Sequence, residues 1–115
     1  MNVDREWITQ ELRNSLRAMA GPGSEALASL PDWTVKADEL ALDFDNFVHA
    51  YLGNFGDEVS PYQRDALLAV DALLDGMSGE EHAELWTEHA VVNHPKWEAV
   101  RALAQDALAS LGWNK

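Results

Sequence analysis

The chain contains no cysteine. That excludes a disulfide framework, a zinc ribbon and a thiol nucleophile. It has no apolar run near the ~20 residues that a membrane span needs. Its opening residues, Met1 to Trp7, hold no apolar core for a signal peptide. Together these features predict a cytoplasmic protein. Hairpin turns are missing as well: the one Asp-Gly pair, Asp75-Gly76, falls inside a helical pattern. The most telling scarcity is of positive charge. From Asp38 to Glu88 the only Lys or Arg is Arg64.

The same stretch holds thirteen acids: Asp38, Glu39, Asp43, Asp45, Asp57, Glu58, Asp65, Asp71, Asp75, Glu80, Glu81, Glu84 and Glu88. Set against Arg64, they account for the whole formal net charge of −12. The flanks carry seven acids and seven bases and sum to zero. Clustered like charge repels itself and weakens the compact state. It also disfavours anionic membranes and nucleic-acid phosphates, so neither is an expected partner. A basic protein is.

At 115 residues and 12.8 kDa, with 47% hydrophobic and 24% charged residues, the chain fits one globular domain over 1–115. Apolar spacing predicts an all-α bundle of four to five helices. Trp7, Ile8, Leu12, Leu16 and Met19 mark a first helix over Val3–Ala20, with Asp4 as its cap and Gly21-Pro22-Gly23 as its stop. A short turn comes next over Glu25–Leu30, closed by Pro31, and a connector carries Trp33. A second helix runs from Lys36 to about Leu52 on Leu40, Phe44, Phe47, Val48 and Tyr51, with Phe55 extending the stripe. The alternation of Leu40, Leu42 and Phe44 would also suit a strand, but the helical spacing continues past Asp45 and the alternation does not. Ser60-Pro61 opens a third helix packed through Ala66, Leu67, Val70, Leu73, Leu74 and Met77. Ser78 and Glu81 have capping-box spacing for a fourth, with a second cap at Thr87 and a short turn through Val92. Asn93-His94-Pro95 starts the last, which packs through Trp97, Val100, Ala104, Ala107, Leu108 and Leu111 and ends at Gly112.

About half of the acids have a local role in first turns, where carboxylates favour the helix dipole. Others are placed against stability. Asp71 and Asp75 are four apart, as are Glu84 and Glu88, and like charges at helical i,i+4 repel. The flanks interleave signs, so general salt adaptation does not explain the middle. A solvated face and a partner-binding surface both remain open. As a binding surface it would comprise Asp43, Asp45, Asp57, Glu58, Asp71, Asp75, Glu84 and Glu88, with Tyr62 and Trp86 as aromatic anchors. Tyr51 and Phe55 continue a core stripe, while Tyr62 sits off it and should be exposed. Core packing is the expected role of the five tryptophans, Trp7 and Trp97 above all.

Catalytic patterns are missing. Asp43-Phe44-Asp45 resembles a catalytic Asp-x-Asp, but helical geometry turns the two carboxylates nearly opposite ways. The serines lack a nucleophile elbow, and Gly21-Pro22-Gly23 lacks the Lys of a phosphate loop. His82 and His89 would share a face only on a continuous helix. Asp45 and His49 form half of a metal site without a matching half. No catalytic residue, metal or cofactor is therefore expected.

The chain resembles the small acidic immunity proteins of bacterial toxin–immunity pairs in size, charge and helical content, and in the stretch from Asp38-Glu39-Leu40-Ala41-Leu42-Asp43-Phe44-Asp45 to Trp86. The resemblance implies a cytoplasmic bacterial protein that is not an enzyme and that neutralises a basic nuclease-type toxin. Two other expectations compete with it: a homodimeric structural or regulatory protein with a solvated acidic face, and a metal-dependent enzyme.

Overall fold

A computed structural model describes residues 2–30 and 35–114, with side chains from residue 5. Among these residues are six α-helices, in chain order α1 (Asn2–Ala20), α2 (Gly23–Ala28), α3 (Lys36–Phe55), α4 (Pro61–Gly76), α5 (Glu88–Asn93) and α6 (Pro95–Leu111). Two 3₁₀ segments, Gly56–Glu58 and Glu80–Trp86, join α3 to α4 and α4 to α5. No strand occurs among the described residues, so the all-α architecture holds and the strand alternative at Leu40–Asp45 does not. The cap side chain predicted at Asp4, the Pro31 stop and Trp33 lie outside the described residues.

Local chemistry explains the boundaries. Ser60 accepts a hydrogen bond from the Gln63 amide (3.1 Å), and the Gln63 side chain accepts one from the Ser60 amide (2.8 Å). With Pro61 in the first turn, this capping box fixes where α4 begins. His94 Nδ1 accepts from the Lys96 amide (3.0 Å) and opens α6. Gly112, at φ 73°, closes it in the left-handed conformation that glycine adopts without penalty. Ser78 behaves differently from expectation. Its hydroxyl donates back to the Leu74 carbonyl (3.2 Å) rather than capping forward. The chain then enters a 3₁₀ segment with a non-helical His82, and Thr87 caps α5 through the Ala90 amide (3.0 Å). Glu84 and Glu88 thus belong to different elements, as do His82 and His89. The i,i+4 repulsion and the shared histidine face both fall away.

One connected core gathers Leu12 and Leu16 of α1, Phe44 and Val48 of α3, Leu67 and Val70 of α4, and Trp97 and Val100 of α6. α1 packs extensively on both α3 and α6, and α6 packs extensively on α4. The helices are therefore ordered α3, α1, α6, α4 around the core, and the backbones of α3 and α4 come close at far fewer places. Trp7 departs from its expected core position: it is 56% exposed. It sits about 100° around α1 from Ile8, at the edge of the apolar stripe. From there its ring stands edge-on against Phe47 at 5.1 Å. Trp113 is half-buried, edge-on to Tyr51 at 5.6 Å.

Candidate functional site

On α3, Asp38, Leu42, Asp45 and His49 are spaced by four, three and four residues, which places them on one stripe of the helix. α4 presents Asp71, Leu74 and Asp75 to that stripe. The two helices run in opposite directions here: His49 meets Asp71, while Asp38 lies near Ser78. Two recesses run along the thin seam between them. One, of about 230 Å³, is lined by Ala41, Leu42, Asp45, Asp71, Leu74, Asp75 and Ser78. The other, of about 310 Å³, is lined by Asp38, Ala41, Leu42, Ser78, Gly79 and Trp86. They share Ala41, Leu42 and Ser78 and so adjoin along the seam, hereafter the groove.

The groove has an apolar floor (Ala41, Leu42, Leu74, Trp86) and four carboxylates, Asp38, Asp45, Asp71 and Asp75. No Lys or Arg is among the described residues lining it. Leu42 is 53% exposed and adds apolar surface between the acids. Trp86 is held rigidly. Its indole N–H donates to the Met77 carbonyl (2.8 Å), and its ring stands edge-on to Trp97 at 5.5 Å. Trp97 in turn donates to the Leu85 carbonyl (2.7 Å). This part of the floor is thus set before anything binds.

At the other end, His49 Nε2 lies 3.1 Å from an Asp45 carboxylate oxygen and 3.7 Å from one of Asp71. The three ligand atoms all fall within 4.8 Å of one another. Asp71 therefore supplies, from the neighbouring helix, the third donor that Asp45 and His49 lack on α3 alone.

The remaining expected residues lie elsewhere. Asp43 faces the α1 side of α3, in a recess of about 400 Å³ with Glu11, Ser15 and Leu40 among its walls. Burial, together with a hydrogen bond to Glu39 and the charges of Glu39 and Glu11, pushes its carboxyl up to about 6. Asp43 and Asp45 thus point to different faces, as helical geometry requires. Glu58 is already neutralised: the Arg5 guanidinium grips both of its oxygens, lies over the Phe55 ring at 4.8 Å and holds the carboxyl below its ordinary range. Asp57 beside it is exposed, as are Glu84 and Glu88. Tyr62 is 71% exposed, as expected, but stands in the first turn of α4, about 13 Å of helix rise from Asp71. The structure thus unites Asp45, Asp71, Asp75 and Trp86 from the expected set. It adds Asp38, Leu42 and His49, whose spacing along α3 was the signal available in the sequence.

No family model, curated protein or solved structure matches the chain. No described helix is long and apolar enough to cross a membrane.

Proposed function

We propose that the chain is a non-catalytic binding protein that sequesters a basic protein partner, in the way an immunity protein meets a cationic nuclease toxin. The observation that carries this reading is the α3–α4 groove, where four carboxylates border an apolar floor with no Lys or Arg among the described residues lining it. The rim supplies attraction and fast encounter, strongest at low salt. The floor supplies the apolar contact that fixes a complex. A bacterial, cytoplasmic setting belongs to the same reading and draws its support from the resemblance to immunity proteins.

The test compares two reversed variants in a low-salt pull-down from the native host, with captured basic proteins identified by mass spectrometry. Asp45→Lys, Asp71→Lys and Asp75→Lys together should abolish capture while helix content by circular dichroism is kept. Asp57→Lys with Asp65→Lys should leave capture intact. Undiminished capture by the groove variant would remove the proposal.

A metal-dependent activity is the second reading, favoured by the meeting of Asp45, His49 and Asp71. Bonds of about 2.0–2.1 Å to a tetrahedral ion place donor atoms roughly 3.4 Å apart. The His49 distances of 3.1 and 3.7 Å bracket that value. Three protein donors leave a coordination position for water, as hydrolytic centres need. Titration with Co²⁺ should then give visible absorption bands and a thermal shift, both removed by His49→Ala. Their absence in the parent protein ends this reading.

A further inference from the structure

We infer that the element of the basic partner that docks in the α3–α4 groove is an amphipathic α-helix, laid along the seam and carrying Lys or Arg on both sides of an apolar ridge. This rests on the proposed capture of a basic partner and specifies what the groove accepts.

Three observations point to a helix. The first is the spacing of the rim. Asp71 and Asp75 are four residues apart on α4, about 6 Å along the axis, and Asp38 and Asp45 are seven apart on α3, about 10.5 Å. A helical ligand repeats its side chains at these same intervals, four and seven residues apart on one face. An extended ligand repeats each face every ~6.6 Å, then at ~13 Å, so it matches the closer pair and fits the wider one less closely. The second is packing. The helix order α3, α1, α6, α4 has three extensive contacts, and the thin one is the seam that carries the groove. The furrow between two adjacent helices is where the ridges of a further helix pack, and helix-in-groove docking is a common mode of peptide recognition. The third is the floor. Leu42 stands exposed in the recess that the fixed Trp86 ring also lines, and together they offer apolar contact to a Leu, Met or Phe projecting from the ligand between its cations.

Charge selects the occupant. A second copy of this chain using the same face would set four carboxylates against four, so self-association through the groove is disfavoured. A cationic helix meets the rim with complementary charge.

The experiment uses the full chain and three labelled peptides of about 18 residues, long enough to form a helix on binding. The first spaces Lys and Leu at three- and four-residue steps. The second has the same composition in strict alternation. The third is the first with two central residues replaced by Pro, which breaks a helix and keeps the cations. Fluorescence anisotropy in about 20 mM salt keeps surface charges visible to one another. The first peptide should bind about tenfold or more tighter than the other two, and gain helical circular dichroism on mixing. Leu42→Ser, an exposed substitution whose folding is checked by circular dichroism, should remove that advantage. Equal affinities for all three peptides would overturn the helix inference and leave capture of a basic partner standing. No binding of any peptide would overturn both. Preferential binding of the first peptide that survives Leu42→Ser would place the helix elsewhere and overturn the assignment to this groove.

Discussion

Asp43→Asn should stabilise the protein, and only at pH values where the carboxyl of the unfolded chain is ionised. Asp43 is half-exposed, yet burial and then its neighbours Glu39 and Glu11 raise it from an ordinary 3.8 to about 6. Between those values the native state keeps a proton that the unfolded chain has released. Stability therefore falls as pH rises through that window and levels off above it. A shift of this size at a dry site would correspond to ~3 kcal/mol. Solvent screening of a half-exposed carboxyl reduces that to about 1 kcal/mol. Asparagine keeps the shape, removes the charge and offers an N–H to the Glu39 carboxylate. The variant should melt about 4 °C above the parent at pH 7 for a chain of this size. The difference should vanish below pH ~4, where the parent carboxyl is protonated in both states. Thermal melts of both proteins across that range test this, and carbon-detected NMR of the Asp43 carboxyl gives its titration directly. A melting difference that does not change with pH, or a variant less stable at pH 7, would refute the argument.

Two further substitutions probe the core and a close approach. Phe44→Ala empties a fully buried site on the inner face of α3 and should cost ~3–5 kcal/mol in urea unfolding. Gly23→Ala would set a methyl 2.6 Å from the Val91 carbonyl oxygen and 2.8 Å from the Val92 Cα, forcing α2 away from α5. It should cost about 1–3 kcal/mol and speed amide exchange in α5.

The helices were legible because their boundaries rest on local chemistry. Ser60, Thr87, His94 and Gly112 each cap within a few residues of themselves, and a sequence displays such short-range signals. The segment after Gly76 was legible only in part, because Ser78 had two possible partners. The backward bond to Leu74 and the forward cap are equally local, and only the three-dimensional structure decides between them. Trp7 misled because composition does not say where an apolar stripe ends. The site was half legible. The excess of acid pointed to the stretch that contains the groove, and the spacing of Asp38, Leu42, Asp45 and His49 was present along α3. The seam itself depends on which helices become neighbours. Nothing in the sequence brings Asp71 to His49, or Arg5 to Glu58, 53 residues away.

A face kept acidic for a partner should respond to salt in two opposite ways. Asp71 and Asp75, about 6 Å apart on one helix, repel by roughly 0.7 kcal/mol in bulk water without salt. Raising ionic strength from about 0.05 to 0.5 M shortens the screening length from ~14 to ~4 Å and removes about 0.3 kcal/mol of that. The repulsion between Glu39 and Asp43 on α3 is relieved in the same way. A handful of such neighbours brings the gain to about 1 kcal/mol, or roughly 4 °C in melting temperature. Sodium chloride should therefore raise the melting temperature of the free protein while weakening its hold on a cationic helix, because the same screening acts on both. A fold stabilised by its own ion pairs would lose stability with salt. A melting temperature that stays flat or falls with sodium chloride would mean that the carboxylates of the seam do not strain the native state, and would remove the argument that their placement costs stability.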